Sequence, residues 1–127
     1  MVLDNEKDIV YKIVGCAMEV HNEIGHGFRE KTYENALCKE LQFIEIPYDQ
    51  QRKFDIRYRD SVIDEFIPDL IVNDELIVEL KTVEKIIDEH KGQVLNYLRI
   101  TGFKLGVIIN FKHPKLRWER VILDTAR

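Results

Sequence analysis

The run GFKLGVIINF, Gly102 to Phe111, constrains the architecture most, because Val107, Ile108 and Ile109 are consecutive and apolar. Side chains alternate faces along a strand, so three such residues make both faces hydrophobic, and a strand of this kind needs cover on each side. The rest of the chain offers that cover. From Asn5 to Ile24 the positions Ile9, Ile13, Val14, Ala17, Met18 and Val20 or Ile24 recur at helical spacing, and Gly25 and Gly27 around His26 form a stop. A second helix is expected from about Glu30 to Leu41, with Tyr33, Leu37 and Leu41 near one face and Glu30 one turn before Tyr33 on the same side. Pro47 breaks that pattern, and KFDIRYRD then alternates as a strand up to a turn at Asp60 and Ser61.

Two further strands are expected at about Val62 to Val72 and Leu76 to Leu80, followed by a helix over about Val83 to Arg99 with Ile86, Ile87, His90, Val94 and Leu98 in phase and Gly102 closing it. LRWERVIL gives a last strand, with Leu116, Trp118, Val121 and Leu123 approximately in phase. The order is helix, helix, three strands, helix, strand, strand: an α/β or α+β domain on a mixed central sheet flanked by helices. At 127 residues the chain is expected to form one domain, 1–127, burying roughly two-thirds of its unfolded surface.

Composition excludes several classes. With 45% hydrophobic and 33% charged residues the chain is neither disordered nor fibrous. Cys16 and Cys38 fall in helix-like stretches without metal-ligand spacing, which points to reduced, buried thiols and not to a disulfide framework or a zinc knuckle. The opening MVLDNEKDIVYK is acidic where a secretory signal is basic, and no apolar run reaches membrane-spanning length, so the expected location is the cytoplasm with no membrane partner. The net charge of −4 is unevenly spread: residues 99–127 hold seven Lys or Arg against Glu119 and Asp124, a balance of +5, and the first 98 residues carry −9. Such asymmetry is compatible with a phosphate-facing surface beside an acidic pocket, with Lys112, Lys115 and Arg117 as candidate phosphate ligands, and equally with a solvated strand and tail.

Within FIPDLIVNDELIVELKT, Phe66 to Thr82, three charges stand among apolar residues. If Asn73, Asp74 and Glu75 form a three-residue loop, Val72 pairs with Leu76 and Asp69 lies opposite Glu79, with Lys81 on the same face two positions on. Leu70, Val72, Val78 and Leu80 then make the other face apolar, while Ile67, Ile71 and Ile77 share the charged one. Two facing carboxylates repel, and burial without compensation costs several kcal/mol or forces a proton onto one of them. A divalent cation removes that penalty, and carboxylates near a backbone carbonyl with room for water suit Mg²⁺. The plainer alternative is a diagonal Asp69–Lys81 salt bridge on an exposed face with Glu79 solvated.

Pro68-Asp69 followed by Glu79-Leu80-Lys81 resembles the PD-(D/E)XK nuclease signature. Upstream, Gly27, Glu30 and Tyr33 in GFREKTY are similar to the GxxExxY motif that names a small prokaryotic family of that superfamily, and QVLNYL, with Gln93 and Tyr97, resembles its helix motif. The resemblance runs from about Val10 to Leu123 and implies a restriction-endonuclease-like core with the active site at one edge of the central hairpin. It further implies that Asp69, Glu79 and the Leu80 carbonyl hold Mg²⁺ or Mn²⁺, with Glu30 completing the shell directly or through water. Lys81 would orient or deprotonate the attacking water, and Gln93 and Tyr97 would steady Lys81 or a phosphate oxygen. Tyr33 reads as a core aromatic, Gly27 as a helix-terminus glycine at positive φ that lets Glu30 enter the site, and Pro68 as the mark of an edge or bulge. His90 ranks as an outer residue at most.

The implied function is a metal-dependent phosphodiesterase acting on nucleic acid, DNA ahead of RNA. The alternative is a non-catalytic module that binds nucleic acid or protein on the same fold. Sequence-specific cutting by so short a chain would need a homodimer or a partner protein.

Overall fold

The computed structural model describes residues 5–124; the first residues of the acidic opening and the basic Arg127 lie outside them. Helices α1 (Asn5–Ile24) and α2 (Glu30–Phe43) are followed by strands β1 (Tyr48–Gln50), β2 (Phe54–Tyr58), β3 (Ser61–Phe66), β4 (Leu70–Val72) and β5 (Leu76–Lys81). Helix α3 (Asp88–Thr101) and strands β6 (Leu105–Asn110) and β7 (Arg117–Ile122) complete the order. Five strands form one mixed sheet, β1-β4-β5-β6-β7, in which β5 and β6 run parallel and the other pairs antiparallel, while β2 and β3 pair separately. This is the mixed sheet flanked by helices, of the restriction-endonuclease-like type, that the sequence implied.

Strand β6 is buried at all six positions, as its doubly apolar centre requires. Leu105, Val107 and Ile109 join Leu70, Val72, Val78 and Leu80 beneath α1 and α2, where Ile13, Tyr33, Leu37 and Leu41 are fully buried. Ile108 on the opposite face meets Ile71, Ile77 and Val121 under Val94 and Leu98 of α3. Each Leu or Ile so enclosed contributes roughly 1.5–3 kcal/mol by burial. Gly106 lets α3 lie close: a Cβ there would stand 2.7 Å from Val94 Cγ1. Cys16 and Cys38 are free and buried. Among the described residues no helix is long and apolar enough to cross a membrane.

Several expected elements shift. The helix expected from Val83 begins at Asp88, because Asn110 holds Val83 at both its N–H (3.1 Å) and its C=O (2.7 Å), and residues 83–87 run as a loop. Ile87 is extended at the helix start, and its N–H donates to His90 Nδ1 at 3.1 Å, so His90 caps α3. The strand expected over Val62 to Val72 breaks at Ile67–Asp69: β3 belongs to the small sheet and β4 to the large one. Pro68 therefore marks neither an edge nor a bulge but the crossing between two sheets, since β4 lies inside the large sheet between β1 and β5. The first hairpin turns at Arg59 and Asp60, with φ of +48° and +64°, one residue before the expected turn. On α1, Val20 is buried while Met18 and Ile24 face outward. Strand β1, three residues long, has no counterpart among the expected elements.

Candidate active site

The β4–β5 hairpin has the register expected from a three-residue loop: Val72 pairs with Leu76, Ile71 with Ile77 and Leu70 with Val78. Asn73 and Asp74 at φ +53° and +52° make the turn. One step past the last pair, backbone pairing gives way to side chains. Asp69 N–H donates to Glu79 Oε2 at 3.2 Å, and Leu80 N–H donates to Asp69 Oδ2 at 2.7 Å. Each carboxylate is thus received by the main chain of the other strand. In a strand a residue's N–H and C=O point to the same lateral side, so the Leu80 carbonyl is aimed where β4 has ended.

Glu79 is only 6% exposed and Asp69 is half-buried, so neither is a solvated surface charge. Burial, then the charge of Asp69 and its hydrogen bond, push the Glu79 carboxyl up to about 9, against a smaller pull from Lys81. Asp69 is also raised, mainly by burial and further by Glu34 and Glu30, while its hydrogen bonds to Glu79 and Leu80 oppose the rise. Without a cation, burial and mutual repulsion thus favour a proton on the pair. Lys81, half-buried on the same face, makes no ion pair within 4.0 Å among the described residues, so the diagonal salt bridge to Asp69 does not form.

Glu30 opens α2 and is exposed, and its Oε2 accepts from Thr82 N–H at 3.1 Å and Thr82 Oγ1 at 3.3 Å. It reaches the end of β5 from the α1/α2 layer, opposite the layer that faces Glu79. Its approach is set by the preceding turn. Gly27 takes φ +105°, and the Tyr33 hydroxyl donates to the Gly25 carbonyl at 2.7 Å and accepts from Phe28 N–H at 3.2 Å. Tyr33, fully buried, stacks on Phe111 with ring centroids 4.3 Å apart. Among the described residues no three His, Cys, Asp or Glu side chains converge closely enough to cage a metal ion. The structure brings Asp69 and Glu79 together and leaves Glu30 at Thr82.

Tyr97 faces the carboxylates from α3: burial and the charges of Glu79 and Asp69 push its phenol up. Its ring stacks on Phe66 at 4.2 Å, and Phe66 stacks on Phe54 at 5.3 Å, tying the β2–β3 hairpin to α3. Gln93, one turn earlier, is exposed and makes no hydrogen bond among the described residues. Of the basic candidates, Arg117 lies opposite Asn110 and lines a cleft of about 320 Å³. Lys112 and Lys115 are exposed on the β6–β7 connection, and Lys112 stands 4.0 Å from Glu84.

Sequence reasoning missed Glu34, Thr82 and Asn110. Glu34 is buried one turn along α2 from Glu30 and bonded to Lys31, Gln50 and Gln51. Its four-residue offset from Glu30 was the available signal. Asn110, fully buried, also accepts from Lys112 N–H at 3.2 Å, and a polar residue ending an apolar strand was the clue.

The crystal structure of SSO0001 superposes with a TM-score of 0.52 over 91% of this chain and 78% of its own, at 12% identity, a likeness of fold alone. No curated protein matches. The family model of the PD-(D/E)XK nuclease superfamily matches residues 7–121, a segment that contains Pro68, Asp69, Glu79 and Lys81. With nearly its whole length inside that match, the chain belongs to the PD-(D/E)XK nuclease superfamily.

Proposed function

We propose that the protein is a metal-dependent phosphodiesterase that hydrolyses nucleic acid, DNA ahead of RNA. The observation that carries this reading is the Asp69–Glu79 pair, drawn in from solvent and linked by reciprocal backbone hydrogen bonds, beside a lysine that makes no ion pair among the described residues. Such a pair is costly for a fold and suited to a divalent cation. Asp69, Glu79 and the Leu80 carbonyl would hold Mg²⁺ or Mn²⁺, and Glu30, standing at Thr82, fits contact through water better than direct ligation. The bound cation supplies Lewis acidity at a phosphoryl oxygen and lowers the pKa of coordinated water.

Lys81, which makes no ion pair among the described residues, takes the proton chemistry and offsets charge on the phosphate. Tyr97 and Gln93 present polar ends from α3 toward Lys81 or a phosphate oxygen. Gly27 and Tyr33 set the entry angle of Glu30, in keeping with the narrower GxxExxY grouping. The protein would act in the cytoplasm as a single domain, with a second copy or a partner protein choosing targets. Cleavage of plasmid and oligonucleotide DNA with Mg²⁺ or Mn²⁺, comparing wild type with Asp69→Ala, tests the reading. Loss of cutting in Asp69→Ala is expected. Equal cutting by both proteins overturns it, and binding without cutting by the wild type indicates a binding module instead.

A further inference from the structure

We propose that the cleft between the β5–α3 loop and the start of β7 seats a second backbone phosphate of the strand being cut, gripped by Lys85 and Arg117. The inference rests on the nuclease reading and adds to it a defined contact beyond the scissile phosphate. The sheet sets the distance. Lys81 pairs with Asn110, and Asn110 pairs with Arg117, so the three stand at one level on neighbouring strands. Two strand spacings put the Lys81 and Arg117 backbones about 10 Å apart, too far for both to serve one phosphate through short contacts. Paired residues share a face, so Arg117 projects on the side of Lys81 and Glu79.

The cleft, about 320 Å³, is lined by Lys85, Ile86, Asn110, Arg117, Trp118 and Glu119. Its carboxylates lie beside cations: Glu119 Oε1 is 3.3 Å from Lys91 Nζ, although Glu119 Oε2 is buried without a hydrogen-bond partner among the described residues, and neighbouring Glu84 stands within 4.0 Å of Lys112 and His113. Lys85 and Arg117 make no ion pair among the described residues. Two cations face one opening without a partner, which is the charge pattern an anion needs. Arginine offers a planar fork to phosphate and lysine a point charge, while Ile86 gives apolar wall for a sugar. Lys85 sits on a loop held on both sides of it, by Asn110 at Val83 and by the helix cap at Ile87, and the His113 ring contacts the Glu84 carbonyl at 2.6 Å. Little ordering remains for binding to supply.

The test is binding of a fluorescent single-stranded oligodeoxynucleotide, with Ca²⁺ replacing Mg²⁺, across a salt series. Lys85→Ala and Arg117→Ala should each weaken binding about tenfold. Each should lower the slope of log affinity against log salt by about 0.7. Lys39→Ala, an exposed cation on α2, should leave the slope unchanged. Cleavage by Arg117→Ala should show KM raised more than kcat is lowered, with an unchanged melting temperature. Wild-type slopes in both cleft variants, while Asp69→Ala abolishes cutting, overturn the cleft and leave the nuclease reading intact. Slope losses at Lys85 and Arg117 in a protein that never cuts uphold the phosphate seat and defeat the nuclease reading.

Discussion

In the proposed site, Asp69 and Glu79 would let one proton link folding to metal binding. Glu79 titrates near 4.5 when exposed and at about 9 in the fold, so the folded state binds the proton more tightly. In the absence of cation, that contribution to stability is fully present below the unfolded pKa and is lost as pH rises through the folded one. Melting temperature in chelator should therefore fall by several degrees from pH 5 to pH 9, and Glu79→Gln, which needs no proton, should flatten the slope. A cation takes the proton's place, so Mn²⁺ should raise the melting temperature more at pH 8 than at pH 6, and much less in Asp69→Ala. Equal shifts at both pH values would place the metal elsewhere. Lys81→Ala should keep the Mn²⁺ shift and lose cleavage, since lysine offers no ligand to a cation. Glu30→Gln keeps an acceptor for Thr82 but removes charge, and should raise the Mn²⁺ concentration needed for half-maximal cutting.

Elements were legible where one local rule decided them and illegible where tertiary contacts overrode it. The hairpin register follows from loop length and alternation alone, which is why residue spacing by itself sets Asp69 opposite Glu79. The break at Pro68 was harder, because Ile67, Leu70 and Val72 continue a strand-like pattern across a change of sheet. Ile86 and Ile87 keep helical spacing with Val94, yet Asn110 holds the segment out of the helix. Strand β1 is too short to show a period. The dependence on Asn110 is measurable: Asn110→Leu leaves the Val83 N–H and C=O and the Lys112 N–H without partners, and should cost about 2–4 kcal/mol in urea denaturation. Tyr33→Phe loses two hydrogen bonds in the Gly25–Phe28 turn and should cost about 1–2 kcal/mol by the same measurement.

At the scale of the whole molecule, the basic segment seen in the sequence divides. Lys104 precedes β6 at the end of the sheet opposite Asn110, Arg99 bonds to Asn96, and Arg120 lies over the Tyr11 ring. Among the described residues of that segment, only Lys112, Lys115 and Arg117 gather at the carboxylate end, joined there by Lys85 from the acidic part of the chain. Net charge along a sequence ignores strand direction, so it could suggest a phosphate-facing surface, or a solvated one, without saying where it would lie. Burial also divides the molecule, between strands β5 and β6 at its centre and the outward β2–β3 hairpin. Hydrogen exchange should be slowest at Val78 and Val107 and faster by orders of magnitude along Asp55 to Ile63. Uniform protection would contradict that division.

The final rung of the β4–β5 ladder is built from the site's own carboxylates, with Leu80 N–H on Asp69 and Asp69 N–H on Glu79. Replacing either acid by an apolar residue would therefore leave a main-chain N–H of the other strand without its acceptor, whether or not the protein cuts. The Lys81 side chain makes no hydrogen bond or ion pair among the described residues, so the hairpin depends on it less than on the two acids. Among related sequences, a retained lysine at this position is the better sign of a working enzyme, and its drift beside an intact Asp–Glu pair marks a lineage that kept the scaffold and gave up the reaction.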